Sequence, residues 1–273
     1  MTTRASILAV TSGKGGVGKT FFSANLAAAL ARQGEKVLVL DADLGLANLD
    51  VVLNLHPKLT LHDVFTGKAM LDEAILAAPG GFSVLLAGSG LVEYSRLTPH
   101  VREQLVEIID TIAPRFDRIL IDTGAGISDV VLHAISLADD VLVIATPEPT
   151  SMTDAYATIK LLVTQQARRL IRLVVNQVSV TGEGRTIRKQ LQLVVDRFVV
   201  PHLDNGSGAA VTLDLLGEIP TDPAVRDAVK RRGLLLEITP GSPAAKAVSA
   251  IGMRMAVQVP VAAVKAQAAS RPA

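Results

Sequence analysis

The sequence contains no cysteine among its 273 residues. It therefore cannot form a disulfide, a thiolate metal site or a cysteine-ligated iron–sulfur cluster. Aromatic residues are also scarce, at 3%, whereas hydrophobic residues make up 49%. The core must then be built from Val, Leu, Ile and Ala, a composition that is typical of parallel sheets buried on both faces.

Long apolar runs are missing as well. No stretch approaches the roughly 18 apolar residues that a membrane-spanning helix needs, and the run Ile7–Val10 is too short for a secretory signal. Charge of one sign is also lacking, because 27 Lys and Arg are set against 26 Asp and Glu, for a net charge of +1. Such a chain has no global field that attracts nucleic acid. We therefore expect a cytoplasmic protein.

What the sequence does contain is an alternation of short apolar runs and segments with helical periodicity. The runs that we interpret as buried strands are Ile7–Val10, Val37–Leu40, Val84–Leu86, Ile119–Ile121, Val141–Ile144 and Leu173–Val175. Helical patterns cover Thr20–Arg32, Pro99–Ala113, Ser151–Gln166 and Arg185–Phe198. This alternation predicts one α/β domain over residues 1–260, with a mostly parallel central sheet of about seven or eight strands and helices on both faces. A flexible tail is expected over residues 261–273.

Helix-end signals agree with these segments. Gly34 stands where the first helix should stop. Ser151 and Asp154 have the spacing of a capping box. Asp222 followed by Pro223 predicts the start of another helix late in the chain.

A glycine-rich segment follows the first predicted strand and opens the first predicted helix. It fits the pattern G-x-x-x-x-G-K-[ST], whose glycines allow backbone N–H groups to point at phosphate oxygens. Lys19 should reach the β- and γ-phosphates, and Thr20 should bind Mg²⁺. The nucleotide-binding residues predicted here are Gly13, Lys14, Gly15, Gly16, Val17, Gly18, Lys19, Thr20 and Phe21. The pattern indicates a site for ATP or ADP with Mg²⁺.

Three aspartates follow strands that should end beside this loop. Asp41 and Asp43 come directly after Val37–Leu40, and Asp122 ends Ile119–Ile121. Carboxylates at this edge of a parallel sheet are suitably placed for a metal ion and a water molecule. We therefore predict Thr20, Asp41, Asp43 and Asp122 as the metal-site residues, with Asp43 orienting the attacking water.

The string Lys14-Gly-Gly-Val-Gly-Lys-Thr20 resembles the deviant Walker A motif of the MinD/ParA family of P-loop ATPases. Asp41–Asp50 and Thr123–Ser128 are similar to the two switch regions of that family. The resemblance implies a P-loop fold of the SIMIBI type and an ATP-dependent homodimer. In that dimer Lys14 would reach the partner's nucleotide, so that Lys14, Lys19 and Asp43 form the predicted catalytic set. By the same resemblance Asn176 would read the adenine, and Gly217–Pro220 would be a loop that closes over the base through Pro220.

Within the family, Asp41–Asp50, Ile121–Ser128 and Ile219–Val229 look most like the flagellar-number regulators FlhG and FleN. MinD usually carries Ser-Pro-Ala where this chain has Thr123–Ala125, and ParA usually has Pro-Gln-Gly where it has Leu44–Leu46. The resemblance implies a slowly hydrolysing switch that controls flagellar number and placement. MinD-type division-site selection and ParA-type DNA partition remain alternatives, as does a metabolic ATP-dependent ligase or synthetase. Against the ligase, no conspicuous set of His, Ser or Lys residues follows the two switch-like segments, and the five histidines show no metal-ligand spacing.

The partners implied are a second copy of the chain and a protein effector, either a flagellar regulator or an FlhF-like GTPase. Residues Met1–Ser6 are too few to hold the N-terminal segment with which FlhG proteins stimulate FlhF, so we do not expect that stimulation unless the start of the sequence is truncated. Ser242–Val259 is interpreted mainly as a helix packed on the domain, with a weak contact to the inner face of the membrane as the alternative. DNA is the less favoured partner, although basic residues cluster at Arg168–Arg172 and Arg185–Lys189.

Overall fold

A computed structural model describes residues 4–44, 48–88, 98–203 and 210–256. Its centre is an eight-stranded sheet in the order β3-β4-β2-β5-β1-β6-β7-β8. The strands are β1 Ser6–Ser12, β2 Val37–Ala42, β3 Ile75–Ala77, β4 Ser83–Leu85, β5 Arg118–Ala125, β6 Asp140–Ala145, β7 Leu170–Val178 and β8 Thr212–Pro220. Every adjacent pair is parallel except β3 with β4, which is antiparallel. The single α/β domain and the mostly parallel sheet are confirmed.

Helices connect most of the strands and cover both faces of the sheet. They are α1 Lys19–Ala31, α2 Leu49–Leu53, α3 Leu61–Phe65, α4 Leu71–Ala74, α5 Pro99–Ile112, α6 Asp129–Ser136, α7 Pro149–Gln165, α8 Glu183–Phe198, α9 Pro223–Lys230, α10 Leu235–Ile238 and α11 Pro243–Ala256. Short 3₁₀ turns lie at Ala113–Arg115 and Val200–His202. In the described residues no helix is both long and apolar enough to cross a bilayer.

The sheet separates two aliphatic cores, because successive residues of a strand point to opposite faces. Helices α5, α6, α7 and α8 contribute to the core on one face. Helices α1, α10 and α11 contribute to the core on the other. The central strands are almost wholly buried, as the aliphatic composition predicts.

Two strands were not predicted. Strand β3 has only three residues, none of them fully buried. Strand β8 lies at the outer end of the strand order, and only three of its nine residues are fully buried. Gly217–Pro220 belongs to β8, so the predicted loop over the base was wrong in its conformation. A proline is tolerated there because Pro220 is the last residue of an edge strand.

Helix ends agree with the sequence signals in part. Helix α1 ends at Ala31, and Gly34 has φ of +91°. Asp222 caps α9, with its carboxylate accepting a hydrogen bond from the Ala224 N–H at 2.9 Å. The predicted cap at Ser151 was wrong, since α7 begins two residues earlier behind Glu148. The Ser151 hydroxyl instead accepts a hydrogen bond from the Thr146 N–H.

Helix α11 packs against α1 and β8 and buries its apolar face, including Val248, Ile251 and Met255. This agrees with the packed helix that we predicted over most of Ser242–Val259. The remainder of that segment, residues 261–273 of the predicted tail, residues 45–47 of the first switch-like segment and residues 204–209 lie outside the described residues.

Candidate functional site

The glycine-rich loop connects β1 to α1 at the carboxyl edge of the sheet. Gly18 precedes α1 with φ of +91°, a conformation that L side chains rarely adopt. A Cβ on Gly18 would also lie 2.6 Å from Asn176 Nδ2. A Cβ on Gly13 would lie 2.8 Å from Asp154 Cβ and nearer still to the Asp154 carbonyl. The loop therefore needs glycine at both ends, because α7 and the end of β7 approach it closely.

Lys19 and Asp122 form the buried floor of the site. The two residues are 8% and 1% exposed, and Lys19 Nζ lies 3.9 Å from Asp122 Oδ1. Ser23 donates a hydrogen bond to the same carboxylate at 2.9 Å, and the Thr20 side chain also bonds it. Burial raises the pKa of Asp122, while Lys19 and the two hydroxyls oppose that rise. The sequence interpretation missed Ser23, although its spacing of four from Lys19 puts it on the same face of α1.

Asp41 lies beside Asp122, because the two residues are paired in the register of β2 and β5. Asp41 is 1% exposed, and its Oδ1 accepts a hydrogen bond from the Asp43 N–H at 3.0 Å. Its Oδ2 is buried without a hydrogen-bond partner among the described residues. Burial, and then the charge of Asp122, raise the pKa of Asp41 well above its usual value. A cation bound nearby would relieve this repulsion.

The donor set fits Mg²⁺ in the way that nucleotide sites hold it. Within the described ranges, no three or more His, Asp or Glu side chains are arranged to hold a metal ion. Mg²⁺ bound with a nucleotide needs only one or two carboxylates, since phosphate and water oxygens supply the rest. Thr20, Asp122 and the unpartnered oxygen of Asp41 supply oxygen donors of this kind.

Asp43 lies above these buried groups and is half-buried. A Cβ on Gly124 would be 3.4 Å from Asp43 Oδ1, so the carboxylate lies against the segment that resembles the second switch. A cavity of about 570 Å³ opens here, lined by the glycine-rich loop, Thr20, Asp43, Gly124 and Ser128. Its walls contain most of the predicted phosphate-binding and catalytic residues.

Lys14 and Lys19 have different partners. Its ammonium donates hydrogen bonds to Glu148 Oε2 at 2.7 Å and to Thr150 Oγ1 at 3.0 Å. Both partners lie at the start of α7 and are more than 130 positions away in sequence, so no local pattern could have predicted them. Lys14 is 38% exposed at its side chain and stands at the rim of the cavity.

A second, more apolar cavity of about 260 Å³ lies on the other side of the loop. It brings Phe21, Asn176 and Pro220 together with Ile219 and Val225. Asn176 Nδ2 donates a hydrogen bond to the Val17 carbonyl at 2.8 Å, which ties this cavity to the loop. The predicted base-reading residues therefore share one pocket, although Pro220 reaches it from a strand.

The two basic clusters are only partly free for a ligand. Arg168 donates hydrogen bonds to the carbonyls of Ile135, Ala138 and Asp139 near the end of α6. Arg172 is buried in ion pairs with Asp140 and Asp214. These two arginines stabilise the fold, which leaves Arg185, Arg188 and Lys189 as the accessible part.

Comparison with known proteins agrees with this geometry. The family model described as "ParA: NUBPL iron-transfer P-loop NTPase" matches residues 3–256. The chain is 42% identical to antiactivator FleN of Pseudomonas aeruginosa over 249 residues, 91% of this chain and 85% of that protein. It is 34% identical to the flagellum site-determining protein YlxH of Helicobacter pylori, over 85% of this chain and 76% of that one. The structure of MinD from Pyrococcus horikoshii complexed with Mg-ADP superposes with a TM-score of 0.74 at 26% identity, covering 96% of this chain and 98% of that one.

Proposed function

The chain belongs to the ParA family of P-loop NTPases, and on that premise we propose that it is an ATP-driven, dimerising switch that regulates flagellar number and placement. The observation that carries the proposal is the 42% identity to FleN along nearly the whole chain. The iron-transfer activity in the family description is not carried over, since no cysteine is present to hold an iron–sulfur cluster.

Nucleotide binding would use the groups at the carboxyl edge of the sheet. Backbone N–H groups of Gly13–Gly18 and the start of α1 would hold the phosphates, and Lys19 would neutralise them. The apolar cavity with Phe21, Asn176 and Pro220 would hold the base. That MinD has been seen with Mg-ADP supports the same nucleotide and metal here.

Hydrolysis would depend on the three aspartates. Mg²⁺, when bound, neutralises charge on the phosphates and orients them for attack. Thr20, Asp122 and Asp41 are the residues that would hold it. Asp43 would orient the attacking water from its position against Gly124.

In the dimer, Lys14 would contact the nucleotide that is bound to the partner subunit. In the single chain its charge is matched by Glu148, so Lys14 would have to exchange that contact for phosphate oxygens of the partner's nucleotide. A second cation at the γ-phosphate stabilises the charge that develops in phosphoryl transfer. ATP, but not ADP, would then favour the face-to-face dimer.

The effector is proposed to be a flagellar protein, because two relatives, FleN at 42% identity and the flagellum site-determining protein YlxH at 34% identity, point to flagellar regulation. The division-site and partition alternatives are less supported. For DNA, Arg168 and Arg172 are occupied within the fold. For the membrane, α11 has buried its apolar face, so a contact at the inner membrane face would have to come from elsewhere in the chain. We propose a cytoplasmic location on this basis.

Sedimentation velocity tests the switch. The wild type should sediment as a dimer with ATP and Mg²⁺ and as a monomer with ADP. Lys14→Ala should bind ATP with similar affinity and remain monomeric, whereas Lys36→Ala, an exposed lysine away from the site, should behave as the wild type. A normal ATP-dependent dimer of Lys14→Ala would contradict the proposed contact across the interface.

Flagellar counting tests the biological output. Deletion of the gene should change the number of flagella per cell seen by electron microscopy, and the wild-type gene, but not Lys14→Ala, should restore it. Normal flagellation accompanied by a division or plasmid-partition defect would favour one of the alternatives instead.

A further inference from the structure

The outer edge of β8 is the feature that the proposed function leaves unexplained. In the described part of the chain β8 pairs with β7 alone and ends the strand order. Helix α8 lies on one face and α11 on the other. An edge strand offers unpaired N–H and C=O groups to any other strand, and a second copy of the chain presents the same edge. Natural proteins therefore need some means of blocking it.

Gln192 on α8 occupies the start of this edge. Its Nε2 donates to the Val211 carbonyl at 2.8 Å, and its Oε1 accepts from the Leu213 N–H at 2.8 Å. These are the two groups that one residue of a neighbouring parallel strand would bond, on either side of Thr212. Asp196 accepts a further hydrogen bond from Nε2 at 2.8 Å and fixes the amide. The side chain thus takes the place of one residue of a ninth strand.

Arg254 on α11 occupies the middle of the edge. Its Nη1 donates to the Leu215 carbonyl at 2.6 Å and to the Leu216 carbonyl at 3.3 Å. Its Nη2 donates to Asp214 Oδ1 at 2.7 Å, so a carboxylate holds this guanidinium as Asp196 holds Gln192. The two side chains come from helices on opposite faces of the sheet and meet on the same strand.

We propose that Gln192 and Arg254 close the edge of β8 against pairing with a second copy of the chain. Self-association is thereby confined to surfaces other than the sheet edge, whatever the nucleotide state. Both side chains act by satisfying backbone groups, so removing them exposes Val211, Leu213, Leu215 and Leu216 as a ready template for a strand.

Amide hydrogen exchange tests the capping itself. In Gln192→Leu the Leu213 amide should exchange roughly tenfold faster than in the wild type, because its acceptor is gone. Gln190→Leu, an exposed glutamine on the same helix, should leave it unchanged. Equal protection of Leu213 in both variants would overturn the proposal.

Cross-linking tests the consequence. The chain has no cysteine, so Thr212→Cys on the exposed side of β8 introduces a single thiol. In ADP, a flexible bismaleimide should link two copies in the Gln192→Leu/Arg254→Met background. It should not do so in a Gln190→Leu/Lys246→Met background, which changes exposed residues of the same two helices. Equal linking in both would overturn the proposal. If the double variant does not fold, cross-linking of the Gln192→Leu single variant decides instead. Because ADP is used throughout, failure of the ATP-dependent dimer would not affect the result.

Discussion

Among the described glycines, Gly13 has the least room for a side chain. Its Cα faces the backbone of Asp154 in α7, where a methyl group has no room. Gly13→Ala should therefore displace the loop from α7, lower stability by about 1–3 kcal/mol and weaken nucleotide binding at least tenfold. Urea unfolding and titration with a fluorescent ATP analogue would measure both effects.

Gly15→Ala is the matched control for this substitution. A Cβ on Gly15 would approach only Ala125 Cβ, at 4.0 Å, an ordinary contact. The variant should keep its stability within about 0.5 kcal/mol. A similar loss of stability in Gly13→Ala and Gly15→Ala would show that the close approach to α7 is not the reason for glycine at position 13.

Asp43 is the second residue for which a single substitution gives a test, here of ATP hydrolysis. Removing a group that positions the nucleophile typically slows turnover by about a hundredfold or more. Asp43→Ala should therefore bind ATP and form the dimer, yet release phosphate at a rate near background. Asp129→Ala, which removes an exposed carboxylate at the start of α6, should hydrolyse ATP normally. Normal phosphate release by Asp43→Ala would remove this residue from the mechanism.

At the scale of elements, Asp222 connects two helices. One carboxylate oxygen accepts from the Ala224 N–H of α9, and the other accepts from the Ala244 N–H of α11 at 3.0 Å. Asp222→Ala should lower the free energy of unfolding by about 1–2 kcal/mol. Asp227→Ala, an exposed aspartate on α9, is the control and should change it little.

The Asp222 carboxylate also predicts how the free energy of unfolding changes with pH. Burial opposes ionisation, but hydrogen bonds from Ala244, Ala224 and Ser242 outweigh it and hold the pKa of Asp222 below its ordinary value of 3.8. A lowered folded-state pKa stabilises the protein above pH 3.8, and that contribution disappears as the pH falls through the folded-state pKa. The stability difference between wild type and Asp222→Ala should therefore shrink as the pH falls below 3.8. A constant difference would contradict this origin.

The strands also differ in how well the sequence predicts them. The central strands are continuous aliphatic runs, and all six predicted runs lie in or overlap observed strands. Strand β8 contains Asp214, Gly217, Glu218 and Pro220, which are depleted in strands. It tolerates them because Asp214 pairs with Arg172 and Arg254, while Glu218 accepts from N–H groups at the start of α8. Such compensations come from distant parts of the chain and leave no local pattern.

The same limit applies to the candidate site. Gly13–Thr20, Asp41, Asp43 and Asp122 could be predicted because each stands at the end of a recognisable strand. The structure brings them together, and their roles stay predictions. Contacts that join distant segments, such as Lys14 with Glu148 or Gly13 with Asp154, depend on how α7 crosses the loop. Periodicity along the sequence contains no information about that crossing.

For the whole molecule, nucleotide should act as a stabiliser, because only the folded chain brings these segments together. A ligand at about one hundred times its dissociation constant adds roughly 2.7 kcal/mol, which for a chain of this size raises Tm by about 5–10 °C. Thermal unfolding with Mg-ADP should show this rise, and EDTA should reduce it. Lys19→Ala should show almost none, and an undiminished rise in that variant would exclude the loop as the site.

The two cores have a mechanical consequence. Along β1, Ile7 and Ala9 point into one core while Leu8 and Val10 point into the other. The strand that leads into the phosphate-binding loop is therefore packed on both of its faces. The loop cannot be displaced without disturbing the packing of both cores. Lys14, whose side chain is 38% exposed at the rim of the cavity, belongs to neither core. The loop is thus supported by packing on both faces of the sheet, whereas Lys14 is held at the rim of the cavity by Glu148 and Thr150.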